Sequence, residues 1–276
     1  MIIHVAHSPD SDDAFMFYAL AEGLIDTEGL QYVHELQDIE TLNRRALRGE
    51  LEVSAVSIHA YAYLADRYVL LSSGASMGDG YGPRLVAREP VSRAAIRGRR
   101  IAVPGLMTSA YLALRLLEPD FEAVATPFDQ VERAVLEGSV DLGLIIHEGQ
   151  LTFADQGLHL VIDLGEWWKG ETGLPLPLGG NVVRKDLGAA VVSKISRHLK
   201  ASIEYALGHR TRALDHAMKF ARGLKRSRAD TFVGMYVNSW TVDYGEAGMR
   251  AVRLLLDRGV SAGVIPHRVS AEFAAA

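Results

Sequence analysis

The sequence predicts an α/β protein of two lobes with a cleft between them. Three observations predict it. Strand and helix patterns alternate from the N-terminus, two Gly/Pro-rich passages at residues 72–83 and 173–180 interrupt the alternation, and 276 residues exceed the usual size of one compact domain.

The opening stretch, residues 2–6, is short, apolar and β-rich, and the polar loop Ser8-Pro9-Asp10-Ser11-Asp12-Asp13 ends it. A helix is predicted over 14–25, a strand over 30–36, a helix over 39–48 with Asp38 as its N-cap, and a strand over 53–57. Alternation of this kind favours a mainly parallel sheet whose ligands bind at the carboxyl ends of the strands. The first Gly-rich passage reads as a crossing to a second lobe, with a strand over 84–88 just after it. A second alternation follows: strands near 100–103, 123–125 and 142–146, and helices over 109–117 and 129–137. The second Gly/Pro passage precedes a strand over 181–184 and reads as the return. The predicted division is therefore 1–88 with 182–276 as one discontinuous lobe, and 89–181 as an inserted lobe. Helices over 190–207, 211–224 and 245–258 wrap the first lobe, and the cluster Arg222, Lys225, Arg226 and Arg228 reads as a solvated helix end. The tail Ala274-Ala275-Ala276 reads as frayed.

Composition excludes several classes. Hydrophobic residues make up 49% and charged residues 23%, as in folded soluble proteins, and the net charge of −5 gives no general attraction to nucleic acid or anionic membrane. Cys is absent, which removes disulfides, thiolate metal sites and a cysteine nucleophile. The N-terminus has no cationic export signal and no apolar stretch approaches the ~18–20 residues of a membrane span, so the cytoplasm is the expected location. No P-loop, dinucleotide fingerprint, Gly-x-Ser-x-Gly elbow or His-Glu-x-x-His helix occurs, so nucleotide cofactors and the common hydrolase chemistries lack their anchors.

Four segments could carry chemistry. The acidic loop 8–13 crowds three carboxylates at a strand-to-helix junction; a metal site is conceivable there, and capping of the helix is the simpler reading. Around Ala55, Val56 and Ser57, small side chains at a strand end let a ligand approach the backbone, and Ser57 can donate to an anion. Thr108, Ser109 and Ala110 open a helix whose unpaired N–H groups suit a carboxylate or phosphate, or simply form a cap. His147, leaving an apolar strand at the end expected to face the cleft, is the candidate general base, with Glu148 beside it.

Four stretches together resemble a known family: residues 7–15, 73–83, Ile146-His147-Glu148-Gly149-Gln150-Leu151-Thr152 and Leu176-Pro177-Leu178-Gly179-Gly180-Asn181. The chain resembles the MqnA/MqnD enzymes of menaquinone biosynthesis by the futalosine pathway, the MqnD branch in particular. Its first loop departs from the Ser-Pro-Cys-Pro-Asn-Asp form common in that family, so no role carries over to Asp10 or Asp12. The resemblance implies a two-lobed fold like the type II periplasmic-binding proteins, with a central cleft and a two-stranded hinge. It also implies cleavage of cyclic dehypoxanthinylfutalosine, a small-molecule carboxylate, to 1,4-dihydroxy-6-naphthoate and dihydroxyacetone, without metal or organic cofactor. By the same resemblance His147 is the proton acceptor, and Ala55, Val56, Ser57, Ser109 and Ala110 contact substrate. Chorismate dehydratase activity in the same pathway and non-catalytic binding of a small anion are the competing expectations.

Overall fold

A computed structural model describes residues 1–221 and 223–274; Arg222, Ala275 and Ala276 lie outside the described residues. Twelve strands run in chain order: β1 (Ile2–His7), β2 (Gln31–Leu36), β3 (Val53–Ser57), β4 (Tyr68–Leu71), β5 (Ser76–Gly78), β6 (Arg84–Ala87), β7 (Arg100–Val103), β8 (Glu122–Ala125), β9 (Leu142–Ile145), β10 (His159–Asp163), β11 (Leu176–Arg184) and β12 (Phe273–Ala274). They form two sheets. The first has the order β12-β4-β11-β3-β1-β2, with β5 also on β11, and the second the order β10-β6-β9-β7-β8.

Both sheets are mixed. β1 lies parallel to β2 and β3, and β7 parallel to β8 and β9, because a helix returns the chain between each of these pairs. β11 runs antiparallel to β3 and β4, and β6 antiparallel to β9. β11 enters the first sheet from the second, and so runs against the direction of its neighbours.

Sheet membership moves the crossings relative to the sequence reading. β6 belongs to the second sheet, so the chain changes sheets at residues 79–83, before that strand rather than after it. β11 begins at Leu176 and is a first-sheet strand from its start. The reason is register: Arg84–Ala87 pairs with Leu142–Ile145, a long-range partner invisible to local pattern. β5 and β11 pair antiparallel beside the two crossings and form a two-stranded connection. At the crossing the backbones nearly touch. A Cβ on Gly165 would lie 1.8 Å from the Tyr81 carbonyl oxygen, so only glycine fits there.

Several elements differ from the sequence reading. The first predicted helix is two short ones, Ser11–Met16 and Tyr18–Ala21. Helix Leu164–Thr172 was not predicted; its Trp168 is fully buried and donates from Nε1 to the Pro175 carbonyl at 3.1 Å. Helix Arg226–Tyr236 also escapes prediction, because its polar first half hides the buried stripe of Phe232, Val233 and Tyr236. Arg228 stays partly exposed, as read, and forms a surface ion pair with Asp155, which lies just before β10. Asp38 does cap helix Ile39–Leu47, accepting from Thr41 N–H at 3.0 Å. No helix among the described residues is long and apolar enough to cross a membrane.

Candidate active site

A cavity opens where the carboxyl ends of β1 and β3 meet helix Ser109–Leu117, the end of β9, and β11. Its wall includes Ala55, Val56, Ser57, Thr108, Ser109 and Ala110, the six positions singled out for binding, together with Ser8, Asp10, Asp12 and Asp13 of the first loop.

Ser57 is held by a residue that sequence pattern did not suggest. Asn43, fully buried on helix Ile39–Leu47, accepts from the Ser57 backbone N–H at 2.9 Å and donates from Nδ2 to the Ser57 hydroxyl oxygen at 3.1 Å. Both bonds fix the side chain, and they leave the hydroxyl hydrogen to be donated into the cavity.

Thr108 caps helix Ser109–Leu117, its hydroxyl accepting from Tyr111 N–H at 3.1 Å and donating to the Gly105 carbonyl at 2.9 Å. The Ser109 hydroxyl donates to the Leu178 carbonyl and accepts from His59 N–H at 3.2 Å. Thr108 is thus the helix cap, whereas the Ser109 hydroxyl ties the helix start to β11 and to His59. The Ser109 and Ala110 amides stand in the first helical turn, where no intrahelical acceptor exists and the helix dipole is positive. With Ser57 they give one end of the cavity a donor character suited to a carboxylate. The buried His59 imidazole donates to the Thr108 carbonyl at 3.3 Å, and burial depresses its pKa to about 4, so it braces this end without charge.

The acidic loop folds onto itself. Ser8 N–H donates to Asp13 at 2.7 Å, and the Ser8 hydroxyl donates to Asp10 at 2.8 Å. Asp10 stands at the N-cap of helix Ser11–Met16 without a side-chain cap bond, contrary to the simplest expectation. Asp12 and Asp13 line the cavity and are half-buried. Burial first, then the neighbouring carboxylates Asp13, Asp10 and Glu148, push Asp12 well above the ordinary carboxylate range. Burial lifts Asp13 to about 7, partly offset by the Ser8 N–H bond. Among the described residues no group of three or more His, Asp or Glu is placed to hold a metal ion.

Contacts cross between the two sheets' sides of the cavity. Glu148 accepts from both Ser11 N–H, at 3.2 Å, and the Ser11 hydroxyl, at 3.0 Å. Tyr236 donates to Gln150 at 2.7 Å, and Met107 N–H donates to Glu40 at 3.2 Å.

His147 stands beside the cavity wall, held by hydrogen bonds of its own. It follows β9 directly, yet the cavity wall takes in Ile146 and not the His147 ring. The ring is 8% exposed; its Nδ1 accepts from Gly149 N–H at 2.9 Å, and its Nε2 donates to the Phe128 carbonyl at 3.1 Å. That pattern describes a neutral imidazole with the proton on Nε2. The glycine of the His-Glu-Gly motif makes room for it: a Cβ on Gly149 would lie 2.7 Å from His147 Cε1.

Residues that sequence reasoning missed complete the wall: Met16, Ile39, Asn181, Phe232 and Tyr236. Long-range packing brings them in, and of these only Asn181 falls in a stretch that had drawn attention.

Two α/β sheets enclosing a cavity, with donors at one end and carboxylates along one side, define a protein built to enclose a small polar ligand. The fold agrees with that class: the alkanesulfonate-binding protein SsuA from Xanthomonas axonopodis, solved with bound MOPS, superposes with a TM-score of 0.72 at 12% identity, covering 100% of this chain and 98% of that one. At that identity the likeness concerns the fold alone. A crystal structure of a protein from Archaeoglobus fulgidus is much nearer, with a TM-score of 0.92 and 49% identity over 95% of this chain and 98% of the other. The family described as menaquinone biosynthesis matches residues 3–261, and the chain belongs to that family. Two relatives, each called 1,4-dihydroxy-6-naphtoate synthase, come from Thermus thermophilus, at 41% identity over 95% of both chains, and Streptomyces coelicolor, at 38% identity over 96% of this chain and 95% of the relative.

Proposed function

We propose that this chain is a carbon–carbon lyase that converts cyclic dehypoxanthinylfutalosine to 1,4-dihydroxy-6-naphthoate with release of dihydroxyacetone. The observation that carries this reading is the likeness, over nearly the whole chain, to two relatives named for that synthase. The cavity supports it with an anion-binding end that suits the naphthoate carboxylate. Neither relative is named a chorismate dehydratase or a binding protein, so those readings are not favoured.

In this scheme the substrate carboxylate meets the Ser109 and Ala110 amides and the Ser57 hydroxyl, while the small Ala55 and Val56 leave room for the ring system. The lobes, carried by the two sheets, close about the crossings, and contacts such as Glu148 with Ser11 hold them shut and exclude water. His147 takes the acidic C–H proton. To do so its ring swings out of its hydrogen bonds to Gly149 and Phe128, at a cost of about 1 kcal/mol each. One or two charge-assisted hydrogen bonds to the substrate, at roughly 1.5–3 kcal/mol each, offset that cost. Proton loss starts a fragmentation that aromatisation drives forward. The expected place of action is the cytoplasm.

One observation favours a second base: Asp13 lines the cavity and titrates near 7, where a general base works best. Turnover separates the readings. The purified chain is expected to release naphthoate and dihydroxyacetone in equal amounts, and unchanged substrate would overturn the assignment. His147→Ala is expected to lower kcat at least 100-fold. Near wild-type rates in that variant, with a comparable loss in Asp13→Asn, would transfer the role to Asp13.

A further inference from the structure

Asn181 sits on β11 in the cavity wall, 1% exposed. Its Nδ2 donates to the Gly74 carbonyl at 3.0 Å, which fixes which way round the amide lies. Gly74 is shaped to allow this contact: its φ is +83°, and a Cβ there would fall 2.4 Å from Asn181 Nδ2. The other half of the amide, Oδ1, is buried with no hydrogen-bond partner among the described residues. A buried amide oxygen ordinarily has one, because leaving it unpaired forfeits its hydration.

We propose that Asn181 is a specificity-determining residue whose Oδ1 accepts a hydrogen bond from a substrate hydroxyl, in the part of the substrate that leaves as dihydroxyacetone. The inference rests on the proposed lyase reading. The chemistry of the wall supports it. Ser57 and the start of helix Ser109–Leu117 present donors, which call for a carboxylate. Asn181 presents a fixed acceptor, which calls for a hydroxyl. A ligand that fits both has an anionic end and a polyol end, and the products divide in that way: the naphthoate keeps the carboxylate and dihydroxyacetone carries hydroxyls. A site built to accept from a hydroxyl also discriminates strongly against analogues that lack it, since the acceptor is then left unpaired.

The test is steady-state kinetics of wild type and Asn181→Ala on the cyclic substrate, with titration of 1,4-dihydroxy-6-naphthoate into both proteins. The expected result is a KM raised at least 10-fold in the variant, a smaller change in kcat, and naphthoate affinity within twofold of wild type. An unchanged KM, or equal losses of substrate and naphthoate affinity, would overturn the inference, the second outcome marking a structural role. Should Asn181→Ala fail to fold, Asn181→Asp keeps an acceptor at the same place and is expected to hold KM within about threefold; a 10-fold rise in that variant also counts against the inference. A wild-type chain that turns nothing over overturns the lyase reading and this inference together, whereas an active wild type with an indifferent Asn181 overturns only this one.

Discussion

Replacing Asn43 by Ala tests how the cavity is built, because Asn43 touches Ser57 twice. The change removes the bond from Ser57 N–H at 2.9 Å and the bond to the Ser57 hydroxyl at 3.1 Å. Ser57 is 3% exposed, so water cannot readily replace the lost acceptor. Each lost bond is worth about 1 kcal/mol, and a buried orphan N–H adds about 1–3 kcal/mol of desolvation, for a total of roughly 2–4 kcal/mol once cavity relaxation is allowed. For a chain of this size the thermal midpoint should fall by roughly 5–15 °C. The Ser57 hydroxyl also loses its orientation, so KM for the cyclic substrate should rise about 10-fold. Asn43→Asp keeps the acceptor for Ser57 N–H and should recover about half of the stability. Thermal melts followed by circular dichroism, with steady-state kinetics alongside, measure both effects. A midpoint and KM within error of wild type for Asn43→Ala would refute the claim that Asn43 holds Ser57 in place.

Other outcomes follow from the same geometry. Gly165→Ala places a Cβ against the Tyr81 carbonyl at the crossing and should destabilise by about 3 kcal/mol or prevent soluble expression, read by thermal melting. Glu148→Ala removes the acceptor of both Ser11 bonds and should raise KM more than it lowers the thermal midpoint, read by kinetics and melting on one preparation. Asp12 has a pKa raised above its ordinary 3.8 by burial and by its carboxylate neighbours. Below that ordinary value both folded and unfolded chains hold the proton; above it the unfolded chain ionises first, so native stability declines until the pH passes the folded pKa. Asp12→Asn should therefore match wild type near pH 4 and melt higher than wild type at pH 8. An equal gap at both pH values would contradict the ionisation argument.

Much of this architecture was legible locally. The alternation of residues 2–57 gave β1, β2 and β3 in order, and Asp38 was recognisable as a cap because its chemistry acts within three residues. Ala55, Val56, Ser57, Thr108, Ser109 and Ala110 could be picked out as cavity-lining positions for a related reason: strand ends and helix starts face the crevice of such folds. The sheet to which β6 belongs was not legible, since only its pairing with β9, some sixty residues on, decides it. Asn43 and Asn181 were equally hidden, because an amide inside a helix or strand looks ordinary until a distant Ser57 or Gly74 comes within hydrogen-bond reach. His147 was identified by type and by motif, but its hydrogen bonds to Gly149 N–H and the Phe128 carbonyl were not, because the 3-10 turn it caps and the distant Phe128 are set by tertiary packing.

The account stands on this cavity being the place of reaction, and filling it tests that most directly. Ala55→Leu adds three carbons to the wall at a position 7% exposed. Turnover of the cyclic substrate by the folded variant should drop at least 100-fold, with a thermal midpoint lowered in line with the roughly 1–3 kcal/mol that overpacking the Ala6, Leu42 and Leu51 cluster costs. Turnover that persists in the filled protein would contradict the account.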